Sequence, residues 1–589
     1  MSGDAVSLLG VDRSVCGQRW IARCQTPEVS KAIVNKTGAS HIVSNLLCGR
    51  GVGPDDAAVF LDPTLRNSMP DPSSFEDMDK AAGLILDAMS AGKKITVFAD
   101  YDVDGGTSAA QLIRFGRAMG HDFGLYVPDR VAEGYGPSAD AFQSLKDDGT
   151  QLVVTVDCGA AAIGALEKAA QIDLPVIVID HHLMGNTLPP CAALVNPNRA
   201  DDKSGQGHMA AAGVTFIMLA ALAREAKRRD MTGIPKIINY LDLTAMGTIC
   251  DVVALTGVNR AIVRQGLKVL SARQNPGLTA LADIAGADGD LGTYHAGFIL
   301  GPRINAGGRI GKADMGAAML SSDKADFVAQ SAQTLDDVNR ERKALQADIL
   351  REAEARAAQL PDEHAVTIVS MEGWHPGIIG IVAGRLKDRL GRPCIVIGVN
   401  EEGVGKGSGR SIKGVNLGGA ISMAKAAGIL TSGGGHEMAG GLTIEASKIP
   451  AFEKFINAHL EESVASARAA QVLKIDAVIT PGAANISLLD EVAVVGPFGA
   501  GNPQPVFAFE NLRIAYAERL KGGFVRVNFE DAAGARLKAI CFKAAETGMD
   551  EVLLSPKAPR VHVAGTLKKN EWKGRVSVDL HIADIATSD

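Results

Sequence analysis

The strongest constraint on the fold is a series of short apolar runs that end in acidic turns and are followed by helical segments. Three such runs end in the motifs ADYDVDGG (residues 99–106), VDCG (156–159) and IDHH (179–182). Helical segments at residues 108–119 and 160–170 lie between them. A strand, a polar turn and a helix, repeated, is typical of a parallel sheet. The sequence therefore predicts an α/β domain whose ligand binds at the carboxyl ends of its strands.

Composition excludes several classes of protein. The chain has 589 residues, of which 46% are hydrophobic and 22% charged, and its formal net charge is −7. These values are those of a globular chain of several domains, and they exclude a disordered, collagen-like or disulfide-rich small protein. The eight cysteines form no C-x-x-C pair, which favours free thiols in a reducing compartment. No signal peptide or membrane-spanning run is evident, so we expect a cytoplasmic protein without a membrane partner.

After the first domain, the predicted secondary structure changes twice along the chain. A long polar segment without Pro or Gly at residues 327–360 predicts a helix that bridges two domains. A second α/β unit with two Gly-rich loops begins near residue 365, and short β-like runs after residue 471 predict a small barrel or sandwich. We therefore divide the chain into residues 1–330 (lead-in and first domain), 331–360 (connecting helix), 361–465 (second α/β domain) and 466–589 (β domain).

Acidic and imidazole side chains cluster at the predicted strand ends. Taken singly, each aspartate is better explained as a helix cap or a turn residue. Together, four clusters at equivalent positions would repel one another unless cations neutralised them. Carboxylate and imidazole ligands suit Mn²⁺ or Mg²⁺, and two such ions can promote a phosphoryl displacement. The cluster consists of Asp100, Asp102, Asp104, Asp157, Asp180, His181, His182 and Asp251.

These motifs resemble a known superfamily. In order and spacing, ADYDVDGGTS, VDCG, IDHH and the aspartate of GTICDVVAL resemble motifs I to IV of the DHH phosphoesterases. Other segments resemble, more narrowly, the RecJ-type single-strand-specific 5′-to-3′ DNA exonucleases, and the resemblance extends from about residue 45 to 585. These segments are GRGVGPDDAAVFLDP, PDRVAEGYG, GPRINAGGRIG, LDDVNRER, WHPGIIGIVAGRL, GSGRS, GGGHEMAGG and GPFGAGNPQPVF.

The resemblance implies both a fold and an activity. The fold would be a parallel-sheet DHH domain, joined by the long helix to a DHHA1 domain and followed by an OB-like β-barrel. The activity would be 5′-to-3′ hydrolysis of single-stranded DNA to 5′-mononucleotides by two-metal catalysis, with Mn²⁺ or Mg²⁺, in DNA recombination and repair. A single-strand-binding protein and a helicase would be its partners.

The resemblance also implies roles for individual residues. Asp102, Asp104, Asp157, His181 and Asp251 would be metal ligands, with Asp157 bridging the two ions. Asp100 would be a ligand or support one, His182 would contact the scissile phosphate, and Asp180 would orient a neighbouring histidine. The substrate-binding residues would be Arg130, Arg303, Asn305, Arg309, Ser408, Arg410 and His436, of which Arg130, Arg303, Ser408 and Arg410 would hold a 5′-terminal phosphate. Arg303 and Arg309 lie in the Gly-rich segment GPRINAGGRIG, which we expect to be a loop.

The C-terminal β segment is basic although the chain is acidic. Residues 511–575 carry 13 Lys or Arg and 7 Asp or Glu. Basic residues beside aromatic ones suit a groove that follows a single strand, and we expect Lys568, Lys569 and Trp572 to contribute to it. Phe524 and Phe542 are expected in the barrel core, and Trp572 in a hairpin.

Two other functions fit parts of the pattern. One is a related phosphodiesterase acting on short oligonucleotides or cyclic dinucleotides, although such chains usually lack the OB-like part. The other is a DNA-binding scaffold of the same fold without activity, although such a scaffold would be expected to have lost motif acids that this chain retains.

Overall fold

The computed structural model describes residues 6–130, 133–361, 363–557, 559–572 and 574–588. It confirms the predicted fold class: a parallel-sheet domain, a second α/β domain and a small β-barrel. Among the described residues, no helix combines the length and apolar character that crossing a bilayer requires. The lead-in consists of β1 (Arg19–Ala22), α1 (Pro27–Thr37), α2 (His41–Gly49), α3 (Ala57–Leu61) and α4 (Leu65–Ser68).

The first domain is built on five parallel strands in the order β3-β2-β4-β5-β6. The runs ITVFA, LVVTV and VIVI are buried along their whole length, as in a sheet covered on both faces. From β2 the chain goes to β3 on one side and then to β4 on the other, so a ligand crevice opens between β2 and β4. The elements are α5 (Met78–Ser90), β2 (Ile95–Ala99), α6 (Val103–Ala118), β3 (Gly124–Tyr126), α7 (Ala139–Asp147), β4 (Leu152–Val156), α8 (Ile163–Gln171), β5 (Val176–Ile179), β6 (Ala193–Val195) and α9 (Ala211–Arg228).

A helical layer follows this sheet. It ends in the predicted bridging helix, which runs from Ala325 to Ala357. Val328 and Leu335 of this helix pack in the first domain, whereas Ile349 and Ala353 pack in the second, so one helix contributes to both cores. The elements are α10 (Leu241–Cys250), α11 (Gly257–Ser271), α12 (Pro276–Ile284), a π-helix (His295–Leu300), α13 (Gly301–Ile310), α14 (Met315–Ser321) and α15 (Ala325–Ala357).

The second α/β domain has a five-stranded sheet in the order β10-β11-β9-β8-β7, in which only β7 and β8 are parallel. The Gly-rich segments expected as loops are strands here: GKGSGR lies in β9, and GGGHEMAGG forms the β10–β11 hairpin. That expectation was wrong. The elements are β7 (Thr367–Glu372), α16 (Pro376–Leu390), β8 (Cys394–Val399), β9 (Val404–Arg410), α17 (Leu417–Ala426), β10 (Ser432–His436), β11 (Ala439–Glu445) and α18 (Ile449–Ala469).

The C-terminal domain is a small barrel. Its six strands follow the order β13-β14-β15-β16-β18-β17, and pairing of β14 with β17 closes it. The elements are β12 (Val472–Ile475), β13 (Ala477–Val478), α19 (Ile486–Ala493), β14 (Phe507–Arg519), β15 (Val525–Glu530), β16 (Arg536–Cys541), α20 (Ala544–Thr547), α21 (Met549–Leu553), β17 (Val561–Trp572) and β18 (Arg575–Thr587).

The lead-in packs on this barrel, although the sequence groups it with the first domain. Strand β1 pairs in parallel with β12, and the buried Trp20 donates from Nε1 to Asp584 over 2.9 Å. Ile33 and Leu46 join the barrel core. Cys24, between β1 and α1, and Cys48 of α2 form a disulfide, with their Cα atoms 5.4 Å apart. The expectation of free thiols is therefore wrong for these two cysteines.

Two aromatic side chains of the barrel are not in its core. Phe524 is 36% exposed and Phe542 is 44% exposed, and their rings meet edge to face with centroids 5.2 Å apart. Phe524 precedes the inward-facing Val525, and Phe542 follows the inward-facing Cys541, so alternation along each strand turns both rings outward. The prediction that they are core residues was wrong.

Candidate metal centre

Three of the acidic motifs lie where the sequence predicts them. Asp100 follows β2, Asp157 follows β4, and the Asp180–His182 segment follows β5, which is the neighbour of β4. Asp251 was expected at a strand end as well, but it follows the buried helix α10. This helix can lie against α6 because its Gly247 has no side chain: a Cβ there would be 2.5 Å from Asp104 Oδ1. Helix α10 thus brings Asp251 to the sheet edge from a different layer.

Backbone N–H groups hold the carboxylates of the first motif. Asp102 caps α6 by accepting from the backbone N–H groups of Asp104 (2.8 Å) and Gly105 (3.1 Å). The buried Asp104 accepts from Ala211 N–H (2.7 Å) and Ala212 N–H (2.9 Å), at the start of α9. Both carboxylates therefore lie at helix N-termini, where negative charge is stabilised.

His181 directs one ring nitrogen at three carboxylates. Its Nδ1 donates to the carbonyl of Met209 over 3.0 Å, which leaves the lone pair on Nε2 free. That Nε2 lies 3.3 Å from Asp157 Oδ1, 3.7 Å from Asp251 Oδ2 and 3.9 Å from Asp104 Oδ2.

Several atoms of this centre are buried without a hydrogen-bond partner among the described residues. They are His181 Nε2, Asp157 Oδ1 and Asp100 Oδ1. Asp157 also has a φ of +61°, a left-handed conformation that is uncommon outside glycine and is often found at functional sites. A divalent cation binds oxygen and nitrogen atoms whose lone pairs face one another with no proton between them. The residues present provide such atoms and therefore fit metal ions.

The ligand atoms fall into three overlapping groups, each within 4.8 Å. Asp157 belongs to two of them, and so does His181. The groups are Asp100, Asp102 and Asp157; Asp104, His181 and Asp251; and Asp157, His181 and His182. The three groups therefore form one continuous set of potential metal ligands that share Asp157 and His181.

Without cations the carboxylates destabilise one another. Burial, together with the charge of Asp102, raises the pKa of Asp100 to about 8 and that of Asp251 to about 7. Burial and the charge of Asp251 raise the pKa of Asp104 to about 7. Burial and Asp104 also raise the pKa of Asp157 well above its ordinary value. Bound cations would reverse these shifts, because they favour the ionised form.

Asp180 and Tyr135 orient His182. Oδ1 of Asp180 accepts from Nδ1 of His182 over 2.8 Å and from the backbone N–H groups of both histidines. Burial opposes ionisation of Asp180, but the hydrogen bond from His182 lowers its pKa. The hydroxyl of Tyr135 lies 3.3 Å from the His182 ring and donates to the Asp157 carbonyl over 3.1 Å. Sequence reasoning did not single out Tyr135, although it lies in the quoted motif PDRVAEGYG.

A second group of predicted residues lines a cavity of about 460 Å³ between the two α/β domains. Arg130, Arg309, Ser408 and Arg410 line it together with the first turn of α16. Burial and the neighbouring arginines lower the pKa of Arg309 to about 10. Burial and Arg130 also lower the pKa of Arg410. Clustered guanidinium groups at a helix N-terminus form a site for an anion such as phosphate.

Other predicted substrate contacts are not in that cavity. Arg303 binds Asp336 of α15 over 2.8 Å and the Ile299 carbonyl over 2.7 Å. Asn305 is on α13 with Arg303 and Arg309, because GPRINAGGRI forms a helix and not the expected loop. His436 is exposed at the end of β10.

The predicted nucleic-acid contacts of the barrel do not share one face. Lys568 and Lys569 are neighbours on β17, so their side chains point to opposite sides. Lys568 is hydrogen-bonded to Gln504, whereas Lys569 is exposed. The side chain of Trp572 lies outside the described residues, and its backbone pairs with Arg575 at the β17–β18 turn.

Comparison with known proteins gives matches along most of the chain. Family models match three segments: the DHH family, N-terminal domain, at residues 94–248; the DHHA1 domain at residues 363–462; and the RecJ OB domain at residues 475–584.

Curated relatives match over nearly the whole length. The single-stranded-DNA-specific exonuclease RecJ of Bacillus subtilis is 32% identical over 574 residues, which cover 97% of this chain and 71% of the relative. The protein of the same name from Escherichia coli is 30% identical over 561 residues, covering 92% and 95%.

Solved structures agree with these matches. The crystal structure of RecJ in complex with Mn²⁺ from Thermus thermophilus superimposes with a TM-score of 0.79 and 28% identity, covering 96% of this chain and 78% of that one. The Mg²⁺ complex of the same protein gives a TM-score of 0.74 and 27% identity, covering 96% and 77%.

Proposed function

Since the chain belongs to the RecJ family of DHH phosphoesterases, we propose that it is a single-stranded-DNA-specific exonuclease that hydrolyses terminal phosphodiesters from the 5′ end. The observation that carries this proposal is the free Nε2 of His181, which lies 3.3–3.9 Å from carboxylates of Asp104, Asp157 and Asp251. By family resemblance, the activity serves DNA recombination and repair in the cytoplasm, with a single-strand-binding protein and a helicase as partners.

Two divalent cations, Mn²⁺ or Mg²⁺, fit the centre. We assign one to Asp104, His181 and Asp251, the other to Asp100 and Asp102, and the bridging position to Asp157. When bound, such ions lower the pKa of water and stabilise charge on phosphoryl oxygens. The backbone N–H groups that hold Asp102 and Asp104 fix the two carboxylates before any metal arrives, so little reorganisation is needed.

His182 is placed to contact the substrate. Its Nδ1 is held by Asp180, and its Nε2, which lies 3.3 Å from the Tyr135 hydroxyl, is the ring nitrogen that would bind a phosphoryl oxygen of the scissile bond. The Tyr135 ring contacts the His182 ring edge to face, with the ring planes at 73°, and so restricts its orientation. We therefore assign Asp180 and Tyr135 as positioning residues for His182.

The arginine cavity explains how an end could be selected. Among the described residues, no carboxylate lines the cavity that Arg130, Arg309 and Arg410 surround, so these arginines can bind a terminal phosphate through charge-assisted hydrogen bonds. Arg130 also lies 5.1 Å from the ring of Tyr101, which is between the metal-binding Asp100 and Asp102. A 5′-phosphate held there would place the adjoining phosphodiester near the metal centre, so the cavity would favour the end of a strand over its interior.

The proposal is tested by incubating the protein with a long single strand, the matching duplex and oligonucleotides of two to five residues. Each substrate is assayed with Mn²⁺, with Mg²⁺ and with a chelator. We expect mononucleotides from the single strand only when metal is present, and none from blunt duplex. Digestion confined to the short oligonucleotides would overturn the proposal in favour of a small-substrate phosphodiesterase. Metal-independent binding without digestion would overturn it in favour of a scaffold.

The end-binding role is tested by Arg410→Ala. We expect the variant to lose most of its preference for a 5′-phosphate over a 5′-hydroxyl strand, because one of the guanidinium groups is removed. The matched control is Arg389→Ala, which removes an arginine from the far end of α16, where it pairs with Glu354. An unchanged end preference in Arg410→Ala would reject this role.

A further inference from the structure

Two aromatic side chains of the first domain are exposed and stacked on each other. Tyr294 is 61% exposed and Phe298 is 70% exposed. Their ring centroids are 5.5 Å apart, and the ring planes are inclined by 24°. Tyr294 precedes the π-helix and Phe298 lies within it, a helix type that is rare and often found at functional sites. Within the described residues, the ring contacts of this pair are with each other and with His295.

The pair lies beside the metal centre. The sulfur of Cys250 is 3.7 Å from the carbonyl of Ala296, and a Cβ on Gly297 would be 3.4 Å from Ile249 Cγ2. The π-helix is therefore in contact with the last turn of α10, directly before the predicted metal ligand Asp251. Val252, the next residue, is 69% exposed.

The pair also lies beside the barrel. The hydroxyl of Thr293, the residue before Tyr294, donates to the carbonyl of Phe498 over 3.0 Å. Phe498 packs against the hydrophobic core of the barrel. The aromatic pair therefore lies where the first domain contacts the barrel, on a route that a strand bound at both the metal centre and the barrel could follow.

We propose that Tyr294 and Phe298 form a stacking platform for the bases of single-stranded nucleic acid between the metal centre and the barrel. The proposal rests on the exonuclease function proposed above. Stacked, exposed rings suit this ligand because every base offers an aromatic face, so the platform would bind any sequence. This property is needed by an enzyme that must pass each nucleotide of a strand through one site. Because their planes are inclined by only 24°, the two rings together form a continuous apolar surface.

The test is an abasic scan of binding in the presence of chelator. Labelled 20-nucleotide strands with a 5′-phosphate carry one abasic residue at successive positions, and their Kd values are measured by fluorescence anisotropy. For the wild-type protein we expect one or two positions at which loss of the base weakens binding about tenfold. Phe298→Ala should bind the intact strand about tenfold more weakly and lose the dependence at those positions, whereas Phe298→Trp should retain it.

Phe327→Ala is the matched control, since Phe327 is an exposed phenyl group at the start of α15, and it should behave as the wild type. A wild-type protein that digests the strand but shows no sensitive position would reject the platform and leave the exonuclease function. Sensitive positions that persist in Phe298→Ala would also reject it. A protein that shows sensitive positions but never digests the strand would reject the exonuclease function alone. No binding at all would reject both.

Discussion

At the scale of single residues, the metal centre combines fixed carboxylates with unpartnered atoms. Asp104 is held by two N–H groups of α9, yet Asp157 Oδ1 and His181 Nε2 face one another at 3.3 Å with no proton donor between them. Such an arrangement costs free energy in the metal-free protein and becomes favourable when cations bind. The residues are therefore placed for metal binding at the expense of stability.

Asp157→Asn is expected to reduce hydrolysis by at least about 1,000-fold, because the carboxylate that we propose bridges the two ions is lost. Binding of a single strand in chelator should change less than about threefold, because Asp157 does not line the arginine cavity. Initial rates with saturating Mn²⁺ and anisotropy measure the two effects. Asp140→Asn, an exposed acid of α7, is the control. A rate within tenfold of the wild type would refute the bridging role.

Asp242 provides a pH prediction away from the metal centre. It is buried at the start of α10, and burial raises its pKa from 3.8 to about 6. The folded protein thus binds this proton more tightly than the unfolded chain, so stability is lost as the pH rises from about 4 through 6. The shift corresponds to about 3 kcal/mol. Asp242→Asn removes this penalty but leaves a buried amide group without a partner. We therefore expect the variant to be about 1–2 kcal/mol more stable than the wild type at pH 8. Urea midpoints measured from pH 4 to 8 should converge at the acid end; a constant difference would contradict this account.

Much of the site could be predicted at the residue scale. The acids at strand ends and the two histidines are visible because an apolar run followed by Asp is a local signal. Asp251 was assigned to the cluster correctly but to the wrong element, since a buried helix and a buried strand are both continuous apolar runs. Tyr135 was missed because its partners, the Asp157 carbonyl and the His182 ring, are 22 and 47 residues away.

At the scale of elements, Gly-rich segments pack closely where the sequence suggests loops. In β9, a Cβ at Gly407 would lie 2.7 Å from the side chain of Leu442, and a Cβ at Gly409 would lie 2.7 Å from that of Leu417. The glycines make room for core side chains of neighbouring elements. Glycine is depleted in strands and α-helices in general, so the composition of GKGSGR and GPRINAGGRI predicts loops although they form a strand and a helix.

The loop at residues 496–503 joins the barrel to the first domain. Ala500 accepts from Leu255 N–H over 2.8 Å, four residues after Asp251. Nη2 of the buried Arg260 donates to the carbonyls of Val495 (3.0 Å) and Gly496 (2.6 Å). Within the loop, Nδ2 of the buried Asn502 donates to the Val495 and Pro497 carbonyls, both over 2.8 Å. The motif GPFGAGNPQP therefore fixes the barrel to the first domain through hydrogen bonds.

Asn502→Ala is expected to destabilise the intact chain by about 2–4 kcal/mol, because buried carbonyls lose their donors and the Arg50 side chain loses an acceptor. The urea midpoint of the full-length protein measures the effect. Asn570→Ala removes an exposed asparagine that bonds Asp579, and it should change stability by less than about 0.5 kcal/mol. Equal midpoints for Asn502→Ala and the wild type would contradict a stabilising role of the loop at residues 496–503.

At the scale of the whole molecule, α15 holds the two α/β domains at a fixed separation. Its first half belongs to one core and its second half to the other, so the arginine cavity and the metal centre depend on one rigid element. The sequence predicted this helix because a long polar run without Pro or Gly is a local signal. The packing of the lead-in on the barrel could not be predicted, since Trp20 and Asp584 are 564 residues apart and no local pattern links them.

Ala344→Pro, at an exposed position in the middle of α15, tests the fixed separation. Proline removes a backbone hydrogen bond and kinks the helix at a cost of about 3 kcal/mol. We expect digestion of 5′-phosphorylated strands to fall at least about tenfold while Mn²⁺ binding, measured by calorimetry, is retained. Ala344→Gly costs only about 1 kcal/mol without a kink and is the control. A proline variant with unchanged rate would show that the domains need no rigid connection.

Digestion from the 5′ end is tested by a time course on one long single strand labelled at either end. We expect a 5′ label to appear in mononucleotides from the first time point, whereas a 3′ label stays on strands that shorten steadily. Both events should require metal and Asp157. Release of the 3′ label first, or internal fragments that carry either label, would contradict the assignment of the arginine cavity as the site that binds the 5′ end.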